Sequence, residues 1–499
     1  MGQDVAAGTF DRSARQRYRL KVQRCLDALA RMLTEGGFST SPPQIGLEVE
    51  LNLVDDALQP AMANTVVLEK LDDPSFTTEL GQHNLELNVL PRPLSGDQAS
   101  QLEAELRTSL ADANLKAQDA GATLVMIGML PTLRNEHFKA RWLSTNARYA
   151  RLNDQIFAAR GEDMVLSMEG PAIPGQRGER LRSSADSILP EAACTSAQLH
   201  LQVPPEEFAS HWNAAQCLAG VQVAIAANSP FLLRKALWHE TRIPLFQQAT
   251  DTRPEELKNQ GVRPRVWFGE RWITSIFDLF EENVRYFPAL LPVCEDDDPV
   301  EVLARGDTPN LAELRLHNGT IYRWNRPVYD VVHGRPHLRV ENRVLPSGPT
   351  VVDTLANGVF YFGLVRMLAE ADRPVWSQMS FSAAEENFHR AARDGIDAQV
   401  FWPGLGYVPA TELVLRRLLP LAHEGLERWG VDPGDRHRLL GVVEQRCLTG
   451  RNGASWLADA LHRLERRDRC GRRDALGIVL REYMDRMHSN TPVHEWTPV

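Results

Sequence analysis

Four short segments of this chain alternate apolar and polar residues with a period of two, and their polar residues are chemically matched. In residues 44–53, Ile45, Leu47, Val49, Leu51 and Leu53 alternate with Gly46, Glu48, Glu50 and Asn52. Successive strand side chains point to opposite faces, so Glu48 and Glu50 share one face. Two carboxylates so placed repel each other unless water or a cation screens them. Residues 84–90 repeat the design, with Leu85, Leu87 and Val89 opposite Asn84, Glu86 and Asn88; Glu79 precedes them in a glycine-containing turn. Residues 197–203 set Leu199, Leu201 and Val203 against Gln198, His200 and Gln202. Residues 338–344 turn Leu338, Val340 and Val344 inward, with Asn342 an odd neighbour among them, and Arg339, Glu341 and Arg343 outward.

Each strand alone also fits a half-solvated antiparallel sheet. Such faces usually favour Thr, Lys and mixed charge, whereas these carry acids, amides, one imidazole and a row of arginines. Acids and amides are the oxygen donors that magnesium prefers, and arginine beside them suits phosphate. Residues 311–326 contain Asn318-Gly319, which predicts a hairpin turn whose strands offer Glu313, Arg315, His317, Arg323 and Arg326. These arginines fit a phosphate clamp, a carboxylate clamp or plain surface charge. Residues 226–231 and 239–253 read as polar loops.

The rest of the chain narrows the class. A net charge of −10 and a pI near 5.8 argue against a nucleic-acid partner. No apolar run approaches a membrane span, and six scattered cysteines give neither a zinc spacing nor a disulfide framework. The reading is a cytoplasmic enzyme. Helical spacing predicts helices over 12–34, 96–121, 207–228 and 351–371, then over 412–419, 435–448 and 456–467. Pro42-Pro43 introduces the first strand, and the arginine-rich stretch 463–473 reads as a solvated helix end. We expect an N-terminal helix in 1–40, a catalytic body in 41–375 and a helical C-terminal region in 376–499. No Walker, dinucleotide or nucleophile-elbow motif is present, so any nucleotide must lie on a sheet face.

In combination, IGLEVEL (45–51), TTELGQHNLELNV (77–89), SAQLHLQV (196–203), AANSPF (226–231), HNGTIYRWNRP (317–327) and HLRVENRVLP (337–346) resemble the glutamate–cysteine ligases of the glutamine-synthetase-like superfamily. The resemblance implies an α+β fold: a curved antiparallel β-sheet with flanking helices, plus the helical C-terminal region. It implies ATP as co-substrate and two or three magnesium ions, one with Glu50, Glu79 and Glu86, another with Glu48, His200 and Glu341. Arg339 and Arg343 would contact the transferring phosphoryl group, with Arg323, Arg326 and Gln198 as nucleotide contacts. Gln198 departs from the bacterial members of that family, which carry His-x-His where this chain has Gln198-Leu199-His200. The implied reaction joins glutamate to cysteine through an acyl phosphate, in low-molecular-weight thiol biosynthesis. Another small amine or a protein lysine, as in the related Pup ligases, is the alternative acceptor. A non-catalytic nucleotide-binding regulator is the alternative from another class.

Overall fold

Seven strands form the central sheet: β1 (Gln44–Val54), β2 (Phe76–Thr78), β3 (Asn84–Pro93), β4 (Thr123–Val125), β5 (Ser196–Gln202), β6 (Asn325–Val332) and β7 (Arg335–Pro346). Their order is β6-β7-β5-β1-β3-β2, with β4 also on β1, and every pairing is antiparallel. Irregularities in register at Ile45/Leu47 and at Asn342/Leu345 bend the strands that carry them, and the sheet is curved. The computed structural model describes residues 10–39, 43–172, 177–466 and 469–499. Pro42, residues 1–9 and 40 of the N-terminal region, and residues 467–468 of the arginine-rich stretch lie outside these.

The main helices are α1 (Arg12–Glu35), α2 (Gln98–Gln118), α3 (Ala147–Arg160), α4 (Phe208–Ala226), α5 (Ala312–Asn318), α6 (Val351–Ala369), α7 (Phe381–Asp394), α8 (Leu419–Arg428), α9 (Pro433–Thr449), α10 (Gly453–Arg466) and α11 (Arg472–Ser489). Helices α4 and α6 pack on each other and cover the apolar face of the sheet at β7 and β5. Helix α6 is the one described helix long and apolar enough to cross a membrane, and it is buried inside the molecule. The C-terminal helices enclose it, for α8 and α9 pack on α6, and α7 packs on α4. A buried ion pair links Arg446 of α9 to Asp353 of α6 at 2.9 Å. The C-terminal region also holds a hairpin, Gln399–Trp402 with Gly406–Pro409, which the helical spacing did not predict.

Two expectations are corrected here. Asn318-Gly319 does not turn a hairpin: Asn318 ends helix α5, and Gly319 has an ordinary φ of −67°. The reason is upstream, where Leu311 and Leu314 recur at helical spacing and bury with Glu313 and His317. Asn342 is no misfit. Its amide donates to Gln222 (3.1 Å) and Asn325 (2.8 Å), and Asn325 donates on to Gln216 (2.7 Å), so the buried amides satisfy one another.

Candidate active site

The polar face of the sheet is largely covered and lines a cleft. Helices α3 and α5 help to roof it, leaving a cleft of about 600 Å³. Register sets the acids: Glu50 lies opposite Glu86, Glu48 opposite Asn88 and Gln198, and Glu341 opposite both His200 and Arg326. Gly46 pairs with His200, and a Cβ there would lie 3.3 Å from the histidine Cβ. Of the eleven residues expected to form the site, Glu48, Glu50, Glu79, Glu86, Gln198, Arg326, Arg339, Glu341 and Arg343 line this one cleft.

Glu50, Glu79 and Glu86 converge, each offering an oxygen within 4.8 Å of the others. Burial, and then the charge of their neighbours, raises Glu79 well above the carboxylate range and Glu86 to about 7. Burial raises Glu50 as well, against the pull of Arg343 and Ser196. Two buried acids and one half-buried one, resisting joint ionisation and offering oxygen donors only, fit a hard divalent cation. Glu50 is braced by the Ser196 amide (2.7 Å), the Ser196 hydroxyl (2.9 Å) and Gln198 Nε2 (2.8 Å).

The second expected set is arranged differently. Glu341 accepts from Arg326 at 2.8 Å on one oxygen and from Arg343 on the other. Burial would raise its pKa, but these guanidiniums hold it well below the usual range. His200 Nδ1 accepts from Arg339 Nε at 3.1 Å, which puts the ring proton on Nε2. That nitrogen lies 3.1 Å from Glu48 Oε1 without hydrogen-bond alignment. His200 therefore faces Glu48 as a donor, and becomes a metal ligand only if Arg339 releases Nδ1. Arg339 is itself held by Asp330 at 3.3 Å.

Gln198 joins the two sets, for its Oε1 accepts from Arg343 at 2.5 Å while its Nε2 donates to Glu50. Arg323 is elsewhere. It is buried, donates to Glu282 and Asn283 at 3.0 Å each, and stacks on Trp267 at 4.5 Å. Burial lowers its pKa to about 10. The reason for the correction is that Arg323 belongs to a separate short strand, Tyr322–Arg323, which pairs with Val266–Trp267 and not with the central sheet that carries Arg326. The turn at 226–231 is also internal: Asn228 and Ser229 bind the buried Glu240 at 2.8 and 2.7 Å. The cleft further includes Arg148, Tyr149 and Glu191, which sit outside any alternating pattern. Burial and the charge of Glu50 raise Glu191 to about 8.

Acids and arginines gathered on the covered face of a curved antiparallel sheet suit a carboxylate–amine ligase, and the family match defines that class. The chain belongs to glutamate–cysteine ligase family 2 (GCS2), whose sequence pattern matches residues 44–476. Among solved structures it is similar to a glutamate–cysteine ligase from Francisella tularensis, determined in complex with AMP. The identity is 13% and the TM-score 0.55, over 91% of this chain and 90% of that one. A bifunctional glutathione synthetase from Pasteurella multocida is 11% identical with a TM-score of 0.48, over 93% of this chain and 55% of its own. The ligase of the prokaryotic ubiquitin-like protein Pup, in complex with Pup, is 10% identical with a TM-score of 0.34, over 88% and 72%. At such identities the first likeness is one of fold. No curated protein sequence matches the chain significantly.

Proposed function

We propose that the protein uses ATP to join the γ-carboxylate of glutamate to the amine of cysteine. The observation that carries this reading is the convergence of Glu50, Glu79 and Glu86 in the same cleft as Arg343, with Gln198 between them. A glutamate γ-carboxylate oxygen attacks the γ-phosphorus of ATP, the bond to ADP breaks, and an acyl phosphate forms. The amine nitrogen then attacks the acyl carbon, loses a proton to the surroundings, and inorganic phosphate leaves with its electron pair. Magnesium held by the acid trio would supply charge neutralisation at the phosphates. Arg343 and Arg339 meet the transferring phosphoryl group, and Arg326 keeps Glu341 in place. Roofing by α3 and α5 keeps water from the acyl phosphate. The family supports glutamate and cysteine as substrates.

The test is phosphate release by the purified protein with ATP, magnesium and glutamate, comparing cysteine, 2-aminobutyrate, glycine and lysine. Cysteine should be fastest and 2-aminobutyrate slower, since packing discriminates small side chains by only about 1–3 kcal/mol. Release driven by lysine or a protein acceptor, and not by cysteine, overturns the substrate assignment.

A further inference from the structure

A second cavity, of about 310 Å³, opens between the turn after β1, the segment 131–134 after β4 and the first half of α11. None of its lining residues lines the catalytic cleft. Four arginines line it, Arg134, Arg234, Arg473 and Arg481, against a single acid, Asp474. On a chain of net charge −10 that local excess of cations is unusual. Arg134 pairs with Glu136 at 3.3 Å, whereas Arg234, Arg473 and Arg481 form no ion pair among the described residues. Arg472, next in the chain to Arg473, has its charge spent on Glu179 and Glu465, so the unspent guanidiniums gather at the cavity.

A second observation points to a ligand. Thr132 is 7% exposed, lines the cavity, and its hydroxyl has no hydrogen-bond partner. Gln59 Oε1, in the turn after β1, also belongs to the lining and is likewise buried and unpartnered. The Thr132 hydroxyl is a donor that an anion's oxygen can satisfy, whereas the Gln59 carbonyl oxygen calls for a donor such as a ligand hydroxyl. Arg472 donates to the Arg234 carbonyl at 3.0 Å, tying that turn to α11, while Arg473 and Arg481 are exposed on the helix.

We propose that this cavity binds a small phosphorylated metabolite, with its phosphate held by Arg234, Arg473 and Arg481 and its oxygens accepting from the Thr132 hydroxyl. A phosphate monoester carries close to two negative charges and three strong acceptor oxygens, enough for several guanidinium forks, where a lone carboxylate would leave most of them unmatched. The volume is at the lower end for small-molecule sites, about 300–1,000 Å³, and suits a metabolite rather than a macromolecule.

The test is titration calorimetry of the full chain with glycerol 3-phosphate, inorganic phosphate and citrate in parallel, with EDTA present. Three variants accompany the unmodified protein: Arg473→Gln/Arg481→Gln, Thr132→Val and Arg343→Lys. Thermal melts confirm that each is folded. The expected result is glycerol 3-phosphate binding that weakens at least 10-fold in the double variant, weakens in Thr132→Val, and persists in Arg343→Lys. Turnover without added phosphate should be unchanged in the double variant. Unaltered binding in the double variant overturns the proposal, and so does loss in Arg343→Lys, which would assign the binding to the cleft. Binding of inorganic phosphate alone, or of citrate in preference to either phosphate, overturns the metabolite assignment.

Discussion

Arg339 donates from Nε to His200 Nδ1 at 3.1 Å, and this one hydrogen bond leaves the ring proton on the nitrogen that faces Glu48. Removing the donor frees Nδ1 to carry the proton instead. Arg339→Met should therefore shift His200 away from the Nε2–H tautomer in long-range nitrogen–proton spectra. Turnover should fall by about 100-fold, the order expected when a charge-stabilising donor is lost. An unchanged tautomer would show that the arginine does not set it.

Cation binding to the acid trio should expel protons. Glu86 is raised to about 7 and Glu79 well above the carboxylate range, so at pH 7 the cation-free cluster retains protons that bound magnesium displaces. Calorimetry in buffers of different ionisation enthalpy should show roughly one proton released per magnesium at pH 7, and fewer at pH 9. Glu86→Gln should lower that count and weaken magnesium binding. Magnesium binding with no proton release would contradict the assignment.

Acid should destabilise the protein through histidines buried as neutral rings. Burial lowers His83 to about 3 and His317 to about 4. Both His83 nitrogens lack partners, and the ring packs edge-on against Trp142 at 5.8 Å. These pKa values are depressed, so the unfolded chain takes up its proton first, near pH 6.5. The stabilisation is therefore complete above pH 6.5 and is lost as the pH falls toward 4 and below. Unfolding free energies measured across that window should show a shallower acid loss in His83→Phe than in the unmodified protein. Equal slopes would contradict the buried neutral state.

The C-terminal helices should be inseparable from the catalytic sheet. Arg446 binds Asp353 at 2.9 Å and Asn357 at 2.6 Å, and Asp353 also accepts from the Val493 amide at 3.1 Å. Arg446→Met strands a buried carboxylate, which should cost about 3–5 kcal/mol. Denaturant unfolding that shows a loss below about 1 kcal/mol would contradict it. A chain ending at residue 375 should fail to fold, because α6 would lose the cover of α8 and α9.

The sheet face was legible because strand period two is local: Glu48 and Glu50 share a side whatever the partner strands are. Register across strands was not legible, and register is what sets Glu50 against Glu86 and Glu341 between His200 and Arg326. The α5 segment misled because Asn318-Gly319 signals a hairpin only between two strands, and its upstream side is helical. Arg323 misled for a related reason, for the strand break at Trp324 separates it from the sheet that carries Arg326. Arg148 and Glu191 reach the cleft from α3 and from the turn before β5, positions that only the tertiary fold brings together.

The most direct test of carboxylate activation is the fate of oxygen in glutamate labelled with ¹⁸O at the γ-carboxylate. The protein is incubated with ATP, magnesium, the labelled glutamate and cysteine, and the products are separated and weighed by mass spectrometry. An acyl phosphate requires the attacking carboxylate oxygen to leave with phosphorus, so one labelled oxygen should appear in each inorganic phosphate released, alongside ADP and γ-glutamylcysteine. Unlabelled phosphate, or AMP and pyrophosphate in place of ADP and phosphate, would contradict phosphoryl transfer to the carboxylate.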